Sequence, residues 1–139
     1  MKTPNIPQIR LYQDWLREQR GLSFDSYDAL WRWSVTDLDA YWQSIWDCYG
    51  VYSPTPHTAV LADNRMPGAC WFPGAQLNYA QQVLRHAQQA QAAGFPAIVS
   101  HNEQSLAAGQ AAQEMRWPEL QRQVASLALH LQAQGVPKG

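Results

Sequence analysis

The stretch Trp71-Phe72-Pro73-Gly74-Ala75-Gln76-Leu77-Asn78-Tyr79-Ala80 closes a passage of chain breakers and opens a helix. Before it, residues 52–76 hold Pro54, Pro56, Pro67, Gly68, Pro73 and Gly74. That density of breakers rules out a helix and leaves an extended, looping segment with one short strand, Thr58 to Leu61. After it, Leu77, Ala80, Val83, Leu84 and Ala87 recur at helical spacing as an inward face running to about Ala92, with Gly94 as the stop. Asn78 stands at the helix entrance, where its side-chain oxygen can accept from a free backbone N–H. The many glutamines between Gln81 and Gln91 read as a solvated face, because Gln is a good helix former and the apolar period persists beneath it. Trp71 and Phe72 are expected to wedge the preceding turn into the core.

Three helices are predicted upstream. Ile9, Tyr12, Trp15, Leu16 and the stem of Gln19 mark an amphipathic helix from Ile9 to Arg20, between Pro7 and Gly21. A second runs from Ser26 to about Val35 and places Tyr27, Leu30, Trp31 and Ser34 on one face. The third opens at Thr36, paired with Asp39 in a capping-box-like arrangement. It carries Leu38, Tyr41, Trp42, Ile45, Trp46 and Tyr49 as a core or interface stripe and ends at Gly50.

Downstream, Ala97-Ile98-Val99-Ser100 and Glu114-Met115-Arg116-Trp117 read as two strands of a hairpin joined by the polar loop 102–112. Pro118, compatible with a first helical turn, leads into a last helix with Leu120, Val124, Leu127, Ala128 and Leu131 on one face and Gly135 at its end.

Composition narrows the function classes. The 139 residues are 46% hydrophobic and 15% charged, a globular balance, and five of the 7 Trp precede residue 47. A net charge of -1 with scattered Lys and Arg offers no footprint for nucleic acid or an anionic membrane. No apolar run reaches the ~18 residues of a membrane span, and Met1-Lys2-Thr3-Pro4-Asn5 lacks a signal-peptide core, so a cytoplasmic chain is expected. Cys48 and Cys70 form no disulfide framework, and with His57, His86, His101 and His130 they show no metal-ligand spacing.

No motif indicates catalysis. Pro67-Gly68 and Pro73-Gly74 are turn signals rather than a phosphate cradle, which needs consecutive free N–H groups. The carboxylate pairs Asp25/Asp28 and Asp37/Asp39 sit at helix starts, where the helix dipole favours negative charge. His86 and His130 read as surface residues. The expected catalytic, cofactor-binding and metal-binding sets are therefore empty.

Three blocks resemble the N-terminal region of acetoacetyl-CoA synthetases, members of the adenylate-forming acyl-CoA synthetase superfamily. They are Ser26 to Val35 followed by Tyr41-Trp42 and Ile45-Trp46; Trp71-Phe72-x-Gly74-Ala75-x-Leu77-Asn78-Tyr79-Ala80 with Leu84-Arg85; and Glu119-Leu120-x-x-x-Val124-Ala125 through Gly135-Val136-x-x-Gly139. Related acetyl-CoA synthetases share the looser Trp-Phe-x-Gly-x-x-Leu-Asn pattern. This chain departs from the family at Gln81-Gln82, where Glu-Asn is usual. It departs again at Arg116, where a Ser or Thr cap worth about 1 kcal/mol is usual.

The resemblance implies a mainly α fold with a small β-hairpin, an α+β arrangement. Residues 1–95 would be a helical N-terminal extension, and residues 96–139 the first strand pair and helix of the large AMP-binding α/β domain. It implies an intact ligase that converts acetoacetate, ATP and CoA, with Mg²⁺, to acetoacetyl-CoA, AMP and pyrophosphate. The family's phosphate loop, acidic ATP-binding residues and C-terminal lysine fall on no position here, so a structural, non-catalytic piece is expected. Its partners would be the remainder of the large domain and, through the exposed face of the last helix, a second copy of itself. A free-standing interaction module and a ligase for another short acyl acid are the alternative readings.

Overall fold

The computed structural model describes residues 7–137, in two units that divide between Leu77 and Asn78. The sequence positions 1–5 and the closing Lys138-Gly139 of the third block lie outside the described residues. In the first unit, helices α1 (Gln8–Arg20), α2 (Tyr27–Thr36) and α3 (Leu38–Cys48) precede a two-stranded antiparallel sheet of β1 (Leu61–Asp63) and β2 (Cys70–Trp71). All three helices fall where periodicity places them. The core is Tyr12, Leu16 and Leu30, ringed by Trp15, Leu22, Phe24, Trp33, Tyr41 and Ile45.

The ends of these helices are set by short-range hydrogen bonds. Ser26 Oγ accepts from the Ala29 N–H at 3.1 Å and starts α2. Thr36, expected as the cap of α3, instead ends α2, its hydroxyl donating to the Arg32 carbonyl at 2.8 Å. Asp37 is the cap, accepting from the Ala40 N–H at 3.1 Å while its own N–H closes α2 on Trp33. The link is one residue long, so Thr36 keeps helical hydrogen bonding and the first residue outside the helix takes the capping role, where a carboxylate also meets the dipole favourably. Gly50, at φ 56°, ends α3: its N–H bonds Asp47 and the Val51 N–H bonds Trp46, the paired closure that a left-handed residue permits.

The predicted face of α2 needs correction. Leu30 is buried, but Tyr27 and Trp31 are 68% and 50% exposed. Trp33 packs in their place, 5.1 Å from the Phe24 ring and edge-on to Tyr41 at 5.6 Å. The apolar residues of α2 nearly encircle it, and the position of the 22–24 turn decides which of them is covered.

The short strand also shifts. Periodicity predicts Thr58 to Leu61, whereas β1 begins at Leu61 and pairs, across a bulge, with a strand at Cys70–Trp71 that breaker density conceals. Backbone bonds from Thr58 N–H to Pro73 and from Phe72 N–H to Val60 extend this pairing beyond the strand ends.

The second unit comprises α4 (Tyr79–Leu84), α5 (Ala87–Ala92), β3 (Ile98–Ser100), α6 (Glu103–Ala107), β4 (Gln113–Met115) and α7 (Trp117–Ala133). The single helix expected over 77–92 is broken at Arg85-His86, where the His86 N–H reaches back three residues to Val83 instead of four. That tightening is invisible to apolar spacing, and it accompanies the packing of α5, with Ala87 buried, against α7. Leu77 precedes the helix and is exposed rather than inward. The hairpin forms with Ile98 opposite Met115 and Ser100 opposite Gln113. Trp117, expected in its second strand, begins α7 instead, and Arg116 provides no side-chain cap. The loop 102–112 holds α6, closed by reciprocal bonds between Asn102 and Ser105. On α7, Leu120 and Val124 are half-buried while Leu127 and Leu131 are exposed.

One polar contact lies in the first core. Ser44, buried, donates to the Tyr41 carbonyl at 2.6 Å, so the 2.5 Å contact with Tyr12 makes the tyrosine hydroxyl the donor and Ser44 Oγ the acceptor. Ser44→Ala strands the Tyr12 hydroxyl and is expected to cost about 1–3 kcal/mol, against about 0.5–1.5 kcal/mol for Tyr12→Phe; urea melts of the two variants check the order. Burial pushes the Tyr12 phenol up to about 12, above an unfolded value near 10. The folded state thus favours the neutral phenol. Its contribution is complete below about pH 10 and is lost as pH rises toward 12. The urea midpoint of the parent chain is expected to fall through that window more steeply than that of Tyr12→Phe.

Candidate functional site: an aromatic brace on the third helix

The stretch that opens the sequence reading packs on α3. Trp71 meets Trp42 edge-on at 5.6 Å, and Phe72 lies 4.7 Å from Trp46. His57 fills the remaining angle, 4.9 Å from Trp46 and 5.1 Å from Phe72. The two rings wedge onto α3 rather than into the core as expected, since neither joins the Tyr12–Leu16–Leu30 cluster and Trp71 is 39% exposed, and a histidine that spacing did not mark joins them. No local signal identifies His57, because its ring partners Trp46 and Phe72 lie well beyond a helical turn away in sequence.

Backbone and hydroxyl groups sew the wedge together. Thr55 Oγ1 donates to the Gly74 carbonyl at 2.6 Å, and the Gln76 N–H donates to Ser53 Oγ at 2.9 Å. Phe72 takes φ 45°, a conformation few non-glycine residues adopt, and Gly74 takes φ 89° with the Pro56 carbonyl 3.1 Å from where a Cβ would stand. The turn needs glycine for both reasons.

Two grooves mark the same unit. One of about 280 Å³ is lined by Tyr27, Trp31, Tyr41 and Tyr49 among others. Another of about 430 Å³ runs past Asp37, Asp39 and Asp63. Two carboxylates in the second are engaged, Asp37 as the cap of α3 and Asp63 beside Arg65, which holds that carboxyl below its usual range; Asp39 lies in the first turn of α3. Asp28, in the first turn of α2, pairs with Arg32 at 2.8 Å.

The remaining titratable groups sit apart. Cys48 is half-buried and burial pushes its thiol up, away from the thiolate a nucleophile needs; Cys70 is exposed. His86 and His130 are exposed at the ends of α5 and α7. Asn78 caps α4 as its position predicts, accepting from the Gln81 N–H at 3.0 Å. Among the described residues no three His, Cys, Asp or Glu side chains are grouped to hold a metal ion. Nor is any helix among them long and apolar enough to cross a membrane. Gly68 and Gly74 each follow a proline, so neither turn offers the consecutive N–H groups of a phosphate cradle.

The family described as "Acetyl-coenzyme A synthetase N-terminus" matches residues 27–83, which contain α2, α3 and the whole aromatic wedge. The chain is 32% identical over 126 residues to the acetoacetyl-coenzyme A synthetase of Rhizobium meliloti, covering 91% of this chain and 18% of that protein. It is 29% identical over 123 residues to the acetoacetyl-CoA synthetase of Macaca fascicularis, covering 86% and 17%. A solved acetoacetyl-CoA synthetase from Streptomyces lividans superposes with a TM-score of 0.75 at 41% identity, over 95% of this chain and 20% of that one. The chain thus spans about a fifth of the length of the relatives it matches.

Gly74→Ala forces a Cβ against the Pro56 carbonyl at a positive φ and is expected to destabilise the chain by about 1–3 kcal/mol. Denaturant melts of this variant beside Gly68→Ala, whose surroundings are open, check that the close approach adds to the backbone strain.

Proposed function

This chain is an acyl-CoA synthetase N-terminal region of the acetoacetyl-CoA synthetase type, and from that premise we propose that it is the structural, non-catalytic part of an acetoacetate–CoA ligase. The observation that carries the reading is the wedge of Trp71 and Phe72 on α3 within the matched segment, surrounded by engaged or isolated polar groups. Residues 1–95 serve as a helical extension, and residues 96–139 as the first hairpin and helix of the large AMP-binding domain. The intact ligase joins acetoacetate to CoA at the expense of ATP, releasing AMP and pyrophosphate in the cytoplasm.

Among the described residues no three His, Cys, Asp or Glu side chains group to hold Mg²⁺, and neither Pro-Gly turn offers a phosphate cradle. No step of the reaction is therefore assigned to them. Their work is to brace. The half-covered face of α7, with Leu127 and Leu131 exposed, is the surface on which the rest of the large domain packs. Without that cover, the same face drives self-association of the 139-residue chain.

ATP–pyrophosphate exchange with acetoacetate, run on this chain and on a full-length ligase carrying it as the N-terminal region, tests the assignment. Exchange is expected only in the longer protein, and exchange by the 139-residue chain itself would overturn the non-catalytic reading. Sedimentation of the chain at tens of micromolar checks the association separately: a dimer or larger species is expected, and a monomer would contradict it.

A further inference from the structure

A polar chain in the first unit ends on the histidine of the wedge. Arg20, last residue of α1, pairs with Asp47 Oδ2 on α3. Gln43, one turn earlier on α3, donates its Nε2–H to Asp47 Oδ1 at 3.0 Å. The other end of the same amide, Oε1, lies 2.8 Å from His57 Nε2.

The order of donors along this chain is forced. An ionised carboxylate only accepts, so the nitrogen end of the Gln43 amide faces Asp47. The oxygen end is left for His57, and a carbonyl oxygen also only accepts. His57 Nε2 therefore carries the proton, and in the neutral ring Nδ1 is the bare nitrogen.

We propose that Gln43 is a positioning residue, a relay through which Asp47 dictates which nitrogen of His57 is protonated and holds its ring between Trp46 and Phe72. The consequence reaches past the ring. Thr55 and Thr58 flank His57 and hold the carbonyls of Gly74 and Pro73, so fixing the imidazole fixes the segment that clamps the wedge turn. Asp47, without touching His57, acts on it through the amide.

The test is nitrogen-edited NMR of the histidine side chains in the full 139-residue chain. The expected result is a slowly exchanging His57 Nε2–H resonance with a contact to the Gln43 side chain. Asp47→Asn keeps the shape of residue 47 but offers the amide a donor as well as an acceptor, so Gln43 is free to turn over. Exchange of the His57 N–H should then accelerate on the order of tenfold while helix content stays constant. A proton on Nδ1 in the parent chain, rapid exchange there, or unchanged exchange in a folded Asp47→Asn chain each overturns the relay. If Asp47→Asn does not fold, the tautomer and exchange rate of the parent chain decide alone.

Discussion

Helix α3 is covered by aromatic rings on two sides, and the first unit depends on both contacts. Toward α1 and α2, Tyr41 stands edge-on to Tyr12 at 6.4 Å and to Trp33 at 5.6 Å. Toward the β1–β2 sheet, Trp42 and Trp46 meet Trp71 and Phe72. Successive helical positions turn by about 100°, so residues 41, 42 and 46 cannot all face one partner. Each such ring pair adds about 0.5–1.5 kcal/mol beyond the area it buries. The exposed ion pairs Arg17–Asp14 and Arg32–Asp28 add about 0–1 kcal/mol each. Rings rather than charges hold this unit.

Polar groups refine what the rings permit. Ser44 receives the Tyr12 hydroxyl inside the core, and Gln43 carries the orientation of Asp47 to His57. The strained backbone of Phe72 persists because its ring and the bonds of its neighbours over-determine it: Phe72 donates to Val60, and Thr55 and Thr58 hold the carbonyls that follow. This wedge lies within the segment that the acetyl-coenzyme A synthetase N-terminus family matches.

The second unit is built differently. Side chains cap α4 (Asn78) and α6 (the Asn102–Ser105 box) but neither α5 nor α7, and among its described residues only Ala87 is buried. Its apolar faces are thinly covered, and α7 shows it most plainly, with Leu127 and Leu129 exposed along its second half.

The sequence by itself determined elements whose causes lie within about four residues, namely α1 between Pro7 and Gly21, the start of α2 near Ser26, the Gly50 stop of α3 and the Asn78 cap, and it also showed the two strands of the second hairpin. Its blocks of Trp, Phe, Gly and Asn also carried the family resemblance. Only the tertiary structure decided that Trp33 rather than Trp31 turns inward, that Cys70–Trp71 pairs with β1, that the helix after Asn78 breaks at Arg85-His86, and that His57 joins the wedge. The Asp37 cap and the Asn102–Ser105 box were within local reach but obscured by competing cap residues and a polar run. The division follows the range of the forces. A cap or a left-handed glycine is satisfied by atoms a turn away, whereas the choice of which ring to bury rests on partners tens of residues distant, which no local period records.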